Sequence, residues 1–398
     1  MDFYSKQRVL DPYPDYATWR ESQPIWWADD VNGWVVSRYD DVRAVLKDPG
    51  TFSSKSMGEG EDQAIALPLL TDDPPRHTQL RAIVNTAFTS RALKVMETEV
   101  AELVEQMLDR LDPSGPIDIS AEFTIPLPVA IIAQLMDIPV ERSDDFKRWS
   151  DALTSTGEAD SLEERMPDIM EMAGYFQSLI PARRENPGDD LISKVVHAEV
   201  DGENLNEMDI VGFTMLLLIA GNETTTNLLS NLLYYLADHP ETWTELRDNP
   251  GKIDAAVEEI LRYDAPVHWV SRKATVATSI QGQAIEAGQS VFILLGSANR
   301  DEEHYEDADL FRLDRVKPGD HHTFGHGIHF CIGAPLGRLE ARYALAGLLK
   351  RFSAIRHPQA ANNERTHSNM LRGFHHLWLE LEPATDDLQQ TSLTGTSP

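Results

Sequence analysis

The sequence is poor in cysteine, in basic residues and in long apolar runs. Its 398 residues include one cysteine, Cys331, which excludes an intramolecular disulfide and any zinc module built on paired cysteines. Lys and Arg total 35 against 65 Asp and Glu, a formal net charge of −30, so nucleic acid and anionic membranes should be repelled. The longest nearly apolar run, residues 210–221, is too short for a bilayer, which takes ~20 residues. With no signal-peptide pattern at the start, we expect a cytoplasmic protein that binds neither nucleic acid nor membrane.

The remaining composition, 41% hydrophobic and 25% charged, is that of a globular protein. Apolar residues recur at helical spacing from about residue 39 onward, and short β-prone runs flank the Asn32-Gly33 turn. Further helices are expected at about 127–137, 142–153, 161–183 and 254–263, and further sheets near 274–294 and 366–382. No long low-complexity linker divides the chain. We therefore predict a mainly α-helical, single large domain with small β-sheets over residues 1–383, followed by a frayed tail over residues 384–398.

A long helix is predicted to begin at the N-cap Asn206 and to end near Leu236. Apolar residues cover nearly every side of it, which indicates a helix buried in the middle of the protein. Its centre nevertheless contains Gly221 and Glu223. Glycine inside a helix costs on the order of 1 kcal/mol relative to alanine, and a buried carboxylate needs a partner or a function. Residues 220–226 are therefore a candidate functional segment.

The single cysteine closes a second unusual segment, the glycine-spaced loop over residues 321–331. Glycines at positions 325, 327 and 333 would let the backbone approach something flat and close. An apolar helix is expected to follow, from Leu336 to Phe352. A thiol just ahead of a helix N-terminus is favoured as the thiolate, which is the form that ligates iron.

Together the two segments predict chemistry at a haem. A cysteine thiolate donates electron density to haem iron and favours cleavage of an O–O bond. On the opposite face Gly221 would leave room for oxygen, Thr224 would hydrogen-bond it and Glu223 would pass protons. In isolation, Glu223 and Thr224 would be better explained by a helix bend in which the threonine bonds back one turn, and Cys331 by an inert buried thiol.

The cysteine loop resembles the haem-binding loop of the cytochrome P450 family, Phe-x-x-Gly-x-x-x-Cys-x-Gly. Phe324, Gly327, Cys331 and Gly333 match its fixed positions without a gap. Other family motifs occur in the expected order. Ala220-Gly-Asn-Glu-Thr224 resembles the oxygen-activation segment, Glu259-Ile-Leu-Arg262 resembles Glu-x-x-Arg, and Arg315 resembles the arginine that completes that buried ion network. The resemblance spans residues 10–382 and implies a P450-like helical domain, with haem between the long central helix and the cysteine-loop helix.

The resemblance also assigns residues. It implies haem b with Cys331 as the iron ligand, and it assigns the network of Glu259, Arg262 and Arg315 to support of the fold. The other expected haem contacts are His77, Arg81, Arg272 and His329 at the propionates, with Gly221, Ala220 and Phe324. The expected substrate contacts are Leu216, Ile219, Val267, His268, Trp269, Met370 and Leu371. His268 and Trp269 could equally be packing residues, and the loop over residues 57–70 is expected to cover the pocket.

The implied activity is that of a monooxygenase which hydroxylates a small lipophilic substrate, a steroid, terpenoid or fatty acid, with O2. No residues remain for a flavin or iron–sulfur module and no dinucleotide-binding glycine motif follows a strand. Electrons should therefore come from a separate ferredoxin (or flavodoxin) and its NAD(P)H-dependent reductase. We expect a monomer that docks this partner on a basic patch of Arg338, Arg342, Lys350 and Arg351.

Two alternatives compete with this interpretation. A zinc or non-haem metal site could use the ligand-rich loop, although zinc sites rarely have such glycine spacing and the central helix would stay unexplained. Its candidate ligands are His321, His322, His326, His329 and Cys331, with His375 and His376. We expect His321, His322 and His326 to be solvated loop residues. The second alternative is a peroxide-driven haem peroxygenase, but peroxide-using relatives depart from the acid–threonine pair present here as Glu223 and Thr224.

Overall fold

Helices make up most of the chain in the computed structural model, as predicted. The structure describes residues 3, 6–55, 67–86, 88, 90–154, 162–200, 202–359 and 362–384. The helices are α1 (Lys6–Leu10), α2 (Tyr13–Ser22), α3 (Tyr39–Lys47), α4 (Arg76–Asn85), α5 (Ser90–Leu108), α6 (Pro126–Leu135), α7 (Ser143–Thr154), α8 (Leu162–Glu185), α9 (Leu191–Val196), α10 (Glu207–Asp238), α11 (Pro240–Asp248), α12 (Ile253–Tyr263), α13 (Leu295–Ala298) and α14 (Ala334–Arg351).

The strands are short and form small sheets. They are β1 (Ile25–Ala28), β2 (Gly33–Val36), β3 (Phe52–Ser53), β4 (Ile117–Asp118), β5 (Glu199–Val200), β6 (Glu203–Asn204), β7 (Trp269–Ala274), β8 (Thr278–Ile280), β9 (Gln283–Ile285), β10 (Ser290–Leu294), β11 (Phe352–Arg356), β12 (Glu364–Arg365), β13 (Phe374–His376) and β14 (Trp378–Pro383). The largest sheet has the order β1-β2-β10-β7-β3, in which β2 and β10 are parallel. In this sheet β7, which carries Arg272, is separated from the N-terminal hairpin by one strand, β10.

Local signals placed several elements correctly. The predicted hairpin is formed by β1 and β2, which pair antiparallel, and Asn32 has a positive φ of 47° in the turn. The long helix α10 begins where expected, since the Asn206 side chain accepts a hydrogen bond of 2.9 Å from the backbone N–H of Asp209. The helix after the cysteine begins at Ala334, slightly earlier than predicted, because Gly333 is its N-cap.

The central helix α10 is buried along most of its length and packs against α6, α8 and α14. Its contact with α14 is close at Gly337, where an added Cβ would lie 3.5 Å from Thr225 Oγ1. The helix that follows the cysteine therefore lies directly against the candidate oxygen segment of α10. In the part of the chain that the structure describes, no helix is long and apolar enough to cross a bilayer.

Two sequence predictions concern residues that lie mostly outside the described part of the chain. Of the loop over residues 57–70, expected to cover the pocket, only residues 67–70 are described. Of the tail over residues 384–398, only Ala384 is described. Both stay predictions.

Glu340 on α14 is a buried carboxyl, 2% exposed, and its Oε2 has no hydrogen-bond partner among the described residues. Burial raises its pKa well above the ordinary value of 4.5. Above pH 4.5 the Glu340 carboxyl loses its proton in the unfolded chain but keeps it in the folded protein. Glu340 therefore lowers the stability of the fold progressively above about pH 4.5.

We expect Glu340→Gln to remove this pH-dependent loss. The gain in unfolding free energy should be on the order of 1–3 kcal/mol at pH 8 and should shrink toward pH 4.5, because buried unsatisfied groups carry penalties of this size. Thermal unfolding across this pH range measures it. Glu102→Gln, at an exposed position of α5, is the control. Equal effects of the Glu340 variant at both ends of the range would contradict the expectation.

Candidate active site

The cysteine loop is shaped by left-handed glycines and by contact with α3. Gly325 and Gly327 both have a φ of 72°, and a Cβ on Gly327 would lie 2.6 Å from the carbonyl oxygen of Leu46. The loop closes where the Cys331 N–H donates to the Phe324 carbonyl at 2.8 Å. Both glycines therefore serve the turn, and Gly327 also allows the close approach to α3. Gly333 does lie beside the sulfur, because its Cβ would be 3.9 Å from Cys331 Sγ.

The Cys331 thiol stands at the start of α14 and its side chain is exposed. The protein packed around it nevertheless raises its pKa, chiefly by desolvation, while the N–H groups of Gly333 and Ala334 and the charge of Arg81 lower it. The N–H groups at the start of α14 thus lower the pKa of Cys331 as predicted, but the effect of desolvation is larger. A coordinated metal ion shifts the balance, because a coordinating thiol is deprotonated.

A cluster of basic side chains from three separate elements lies beside this loop. His77 and Arg81 are one turn apart on α4, Arg272 is on β7, and His329 is two residues before the cysteine. The rings of His77 and His329 have centroids 4.2 Å apart, and Arg81 Nη2 donates to the Phe330 carbonyl at 2.6 Å. The structure therefore brings together all the residues expected at the haem propionates.

The electrostatics of this cluster fit an anionic group. Burial, and then the charge of Arg272, lowers the pKa of His329 to about 3, and burial lowers that of Arg272 to about 10. The pKa of His77 is also lowered, by burial and then by Arg81. His77 is 2% exposed, and neither of its ring nitrogens has a hydrogen-bond partner in the described residues. Two buried carboxylates would supply the missing acceptors and negative charge, so these residues fit the propionates of haem.

The oxygen segment of α10 places Thr224 over an exposed turn. Thr224 Oγ1 donates to the Ala220 carbonyl at 2.9 Å, and Ala220 is exposed although its helix is otherwise largely buried. A threonine hydroxyl that donates to the carbonyl one turn back is typical of a structural helix bend. The same bond holds the Thr224 hydroxyl beside the exposed Ala220. The expectation for Gly221 was wrong, since a Cβ there would lie 3.2 Å from Ile132 Cδ1 of α6. Its missing side chain lets α10 pack on α6.

Glu223 is buried, 7% exposed, and points toward α7. Its Oε1 lies 3.6 Å from Lys147 Nζ, and Lys147 also pairs with Asp151 one turn along α7. Burial raises the pKa of Glu223, Lys147 lowers it and Asp151 raises it, with a raised value as the net result. A carboxyl with a raised pKa, in an ion pair near the surface of α7, is suited to proton exchange.

The Glu259, Arg262 and Arg315 side chains form one buried ion network. Arg262 on α12 makes a bidentate contact to Glu259, with Nε and Nη2 at 2.9 and 2.7 Å from the two carboxylate oxygens. Arg315 Nε lies 2.9 Å from both oxygens. Arg262 Nη1 also donates to the carbonyls of Asn299 and Ala308, at 2.9 and 2.7 Å. The network therefore ties α12 to the long segment that leads to the cysteine loop.

The expected substrate contacts divide into two groups. Leu216 and Ile219 lie on α10, and Val267 pairs with Leu371, next to Met370, in an isolated bridge. The other two face the N-terminal part of the chain. His268 is 2% exposed with Tyr16 Oη 3.0 Å from its Nδ1, and Trp269 Nε1 donates to the Asn369 carbonyl while its ring contacts Phe292. Substrate contact by His268 was the wrong expectation, since its side chain is buried and bonded to Tyr16. Trp269 is only partly buried, and its contact with a substrate stays a prediction.

The histidines of the cysteine loop are mostly structural. His321 is 6% exposed with its Nε2 3.2 Å from Glu258 Oε2, and His322 is 2% exposed and stacks on Tyr39 with a centroid separation of 4.2 Å. The prediction of solvated residues was wrong for these two, because the loop folds back onto α3 and α12. Across the described residues, no three His, Cys, Asp or Glu side chains converge on a possible metal site. The zinc alternative thus has no supporting geometry there.

The expected basic docking patch is neutralised by acidic neighbours. Arg338 Nη2 lies 2.9 Å from Glu258, and Arg342 lies 3.4 Å from Glu97. Arg351 pairs with Glu105 and Asp109, each at 2.5 Å, and Lys350 lies 3.9 Å from Glu105. The prediction of a free basic patch was wrong, because the helix α5 and the helix α12 supply carboxylates that its own sequence segment does not show.

Several residues of the site gave no signal in the sequence. Lys147 and Asp151 are ordinary charged residues of an amphipathic helix, yet they are the partners of Glu223. Ser54 Oγ lies 2.9 Å from His329 Nε2 although the two are far apart in the chain. Proximity in the sequence could have pointed to Asp73, four residues before His77, which faces the same cluster.

Comparisons with known proteins agree with this geometry. The family model described as "Cytochrome P450" matches residues 160–250 and 252–374. The chain is 39% identical over 372 residues to "Cytochrome P450 109" of Bacillus spizizenii, covering 92% of this chain and 89% of that protein. It is 37% identical to the "Erythromycin C-12 hydroxylase" of Saccharopolyspora erythraea, covering 91% and 92%.

A solved structure shows the same fold along nearly the whole chain. The crystal structure of CYP109E1 from Bacillus megaterium in complex with testosterone has a TM-score of 0.87 and 34% identity, and it covers 95% of this chain and 99% of that one. The family model matches more than half of the chain, and the relatives match most of it. The cysteine loop, the basic cluster and the buried ion network thus belong to one haem-thiolate monooxygenase, and the chain is a member of the cytochrome P450 family.

Proposed function

We propose that this chain hydroxylates a steroid, using O2 and electrons from a separate ferredoxin or flavodoxin and its NAD(P)H-dependent reductase. The observation that carries the proposal is the bridge between Val267 and Leu371, next to Met370, which brings three apolar residues together. We propose that they form an apolar wall of the substrate site. A flat apolar substrate suits such a wall because it gains affinity by burial of apolar surface. The similarity to a protein solved with testosterone supports this class over terpenoids and fatty acids.

The roles of the site residues follow from their placement. Haem held through Cys331 would supply the activation of O2 and the insertion of one oxygen atom into the substrate. His77, Arg81, Arg272 and His329 would bind its two propionates, and Phe324 would pack at the cysteine loop. The Phe324 ring is held within the loop by Arg338, whose Cζ lies 4.4 Å from the ring centroid.

Proton supply would come from the chain's own residues. Lys147 and Asp151 lie on α7, so Glu223 would take up protons through them and pass these protons on toward Thr224. Thr224 would present its hydroxyl oxygen to an incoming proton while its own hydrogen bonds to the Ala220 carbonyl. Ala220, as the exposed small residue of this turn, would leave the room that was expected at Gly221.

Electron delivery belongs to the same proposal. With the four basic residues paired, the docking face would be a surface of paired charges around Phe330, which is 39% exposed in the cysteine loop. Residues 1–383 would act as a single haem domain, since the helices that carry the site pack against one another. We propose a monomer in the cytoplasm, where a lone thiol suits the reducing conditions.

The substrate class is tested by difference spectroscopy of the purified haem protein. We expect testosterone to displace water from the iron and to give a saturable type I spectral shift with micromolar affinity, because burial of a steroid-sized apolar surface contributes roughly 25 cal/mol per Å². A terpenoid, a fatty acid and a macrolide such as erythromycin form the comparison panel. A larger spectral shift with any of these three compounds than with testosterone would refute the proposed substrate class.

The proton route predicts different defects for two neighbouring variants. Thr224→Ala should keep consuming electrons but form several-fold less product per electron, because the proton would no longer be directed. Glu223→Gln should instead slow turnover by about a hundredfold, the lower range for loss of an acid–base group, and raise the solvent isotope effect. NADH consumption and product are measured together. Thr224→Ser, which keeps the hydroxyl, is the control, and unchanged coupling in Thr224→Ala would contradict the route.

A further inference from the structure

The proposed substrate wall consists of two short segments that pair with each other. The His268 N–H donates to the Met370 carbonyl at 2.7 Å, and the Arg372 N–H donates to the Pro266 carbonyl at 2.9 Å. Val267 and Leu371 are paired between these two hydrogen bonds. The backbone at both segments is irregular, so their own pairing does not fix their distance from α10.

A single buried amide of α10 holds both segments. Asn231, 1% exposed, donates through Nδ2 to the Asp264 carbonyl at 3.0 Å and to the Arg372 carbonyl at 2.9 Å. One turn earlier, Asn227 faces Gly373, where an added Cβ would lie 1.8 Å from Asn227 Oδ1. The segment that carries Met370 and Leu371 therefore lies with its backbone directly on the helix.

Arg372 fastens the same junction from the other side. Its Nε donates to Asp264 Oδ1 at 2.6 Å, and its Nη1 donates to the carbonyls of Val9 and Leu10 at 3.2 and 3.0 Å. Tyr13 Oη donates to the same Asp264 oxygen at 2.7 Å. Arg372 is 8% exposed, so this ion pair is shielded from water. The N-terminal helices are thereby tied to the wall segments.

Asn231 stands seven residues after Thr224, which puts the two on one face of α10, about 10 Å apart along the axis. We propose that Asn231 and Arg372 are positioning residues, which set the distance of Val267, Met370 and Leu371 from the oxygen segment and so determine how a substrate is oriented. The proposal rests on the proposed function in that these three residues line the substrate site. The positioning is transmitted through backbone carbonyls, so neither residue needs to touch the substrate.

Two azoles test this independently of the natural substrate. Imidazole and 4-phenylimidazole both bind haem iron through a ring nitrogen, but only 4-phenylimidazole carries a phenyl group, which we expect to contact the wall. We expect Asn231→Leu to raise the Kd of 4-phenylimidazole about tenfold, equivalent to ~1.4 kcal/mol, while the Kd of imidazole changes less than about twofold. The matched control is Ser230→Ala, because among the described residues the Ser230 hydroxyl donates only to the Asn227 carbonyl of its own helix. This substitution should leave both constants unchanged.

A second variant covers the case in which Asn231→Leu does not accumulate as a haem protein. Arg372→Lys keeps the charge beside Asp264 but cannot also donate to the carbonyls of Val9 and Leu10. It should raise the Kd of 4-phenylimidazole about threefold and leave the Kd of imidazole unchanged. Equal weakening of both azoles would show a general effect on the haem site and would overturn the proposal. So would unchanged constants, or a wild-type protein that binds 4-phenylimidazole no more tightly than imidazole. Failure of steroids to bind would refute the proposed substrate class and would not alter this comparison.

Discussion

Cys331→Ser is expected to remove the thiolate-haem Soret band of the reduced, carbon-monoxide-treated protein and to lower hydroxylation by more than about a hundredfold. Outer-shell substitutions at metal sites already cost roughly 10–100-fold, and here the ligand itself is exchanged. Serine keeps the size of the side chain, but its oxygen is a harder ligand that stays protonated and gives the iron less electron density. Arg81 and the N–H groups at the start of α14, which lower the pKa of Cys331, cannot compensate for this difference.

The measurement is the reduced carbon monoxide spectrum, recorded beside a determination of haem content. His326→Ala is the matched control, because His326 lies in the same loop, is partly exposed and is not assigned to the site. It should keep the thiolate-haem band. Retention of that band in Cys331→Ser would contradict the assignment of the iron ligand.

Glu259→Gln is expected to lower the free energy of unfolding by about 3–5 kcal/mol, the cost of removing one partner from a buried ion pair. The substitution keeps the shape of the side chain but leaves Arg262 and Arg315 without their shared counterion. Arg262 is 1% exposed and cannot regain water without opening the core. Since whole domains are stable by only ~5–15 kcal/mol, the variant should also lose haem at lower temperature than the wild type.

Urea unfolding followed by haem absorbance and by circular dichroism measures this loss. Asp254→Asn is the control on the same helix, because Asp254 has a side chain that is 74% exposed. Its effect should stay below about 1 kcal/mol, as for most surface substitutions. A comparable loss in the two variants would show that the network does not carry the stability assigned to it.

The neighbouring Glu258 shows why position along the helix matters more than residue type. It is only partly buried, and it pairs with Arg338 and with His321. Burial raises its pKa, but the hydrogen bonds from His321 and Arg338 outweigh that effect and lower it to about 2. Its contribution to stability is therefore present above its ordinary pKa of 4.5 and is lost as pH falls toward 2. Two adjacent glutamates thus anchor two different connections to the cysteine loop.

The amino-acid sequence determined those features that depend on local spacing. The mainly α-helical fold follows from the recurrence of apolar residues, and the start of α10 follows from the Asn206 cap. The residues around Cys331 carried the resemblance to the family, and that resemblance implied the cofactor. The Glu259–Arg262 pair was also readable, since one helical turn separates the two side chains.

Only the tertiary structure decided which distant residues became partners. In the folded protein Lys147 lies beside Glu223, and Ile132 packs against Gly221. Acidic residues of α5 and α12 pair with the basic residues that were expected to form a docking patch. It turned His268 toward Tyr16 and joined Asn231 to two segments far along the chain. The physical reason is that hydrophobic periodicity and caps are set within a few residues, whereas ion pairs and buried hydrogen bonds depend on which surfaces the packed helices bring within about 3 Å of each other.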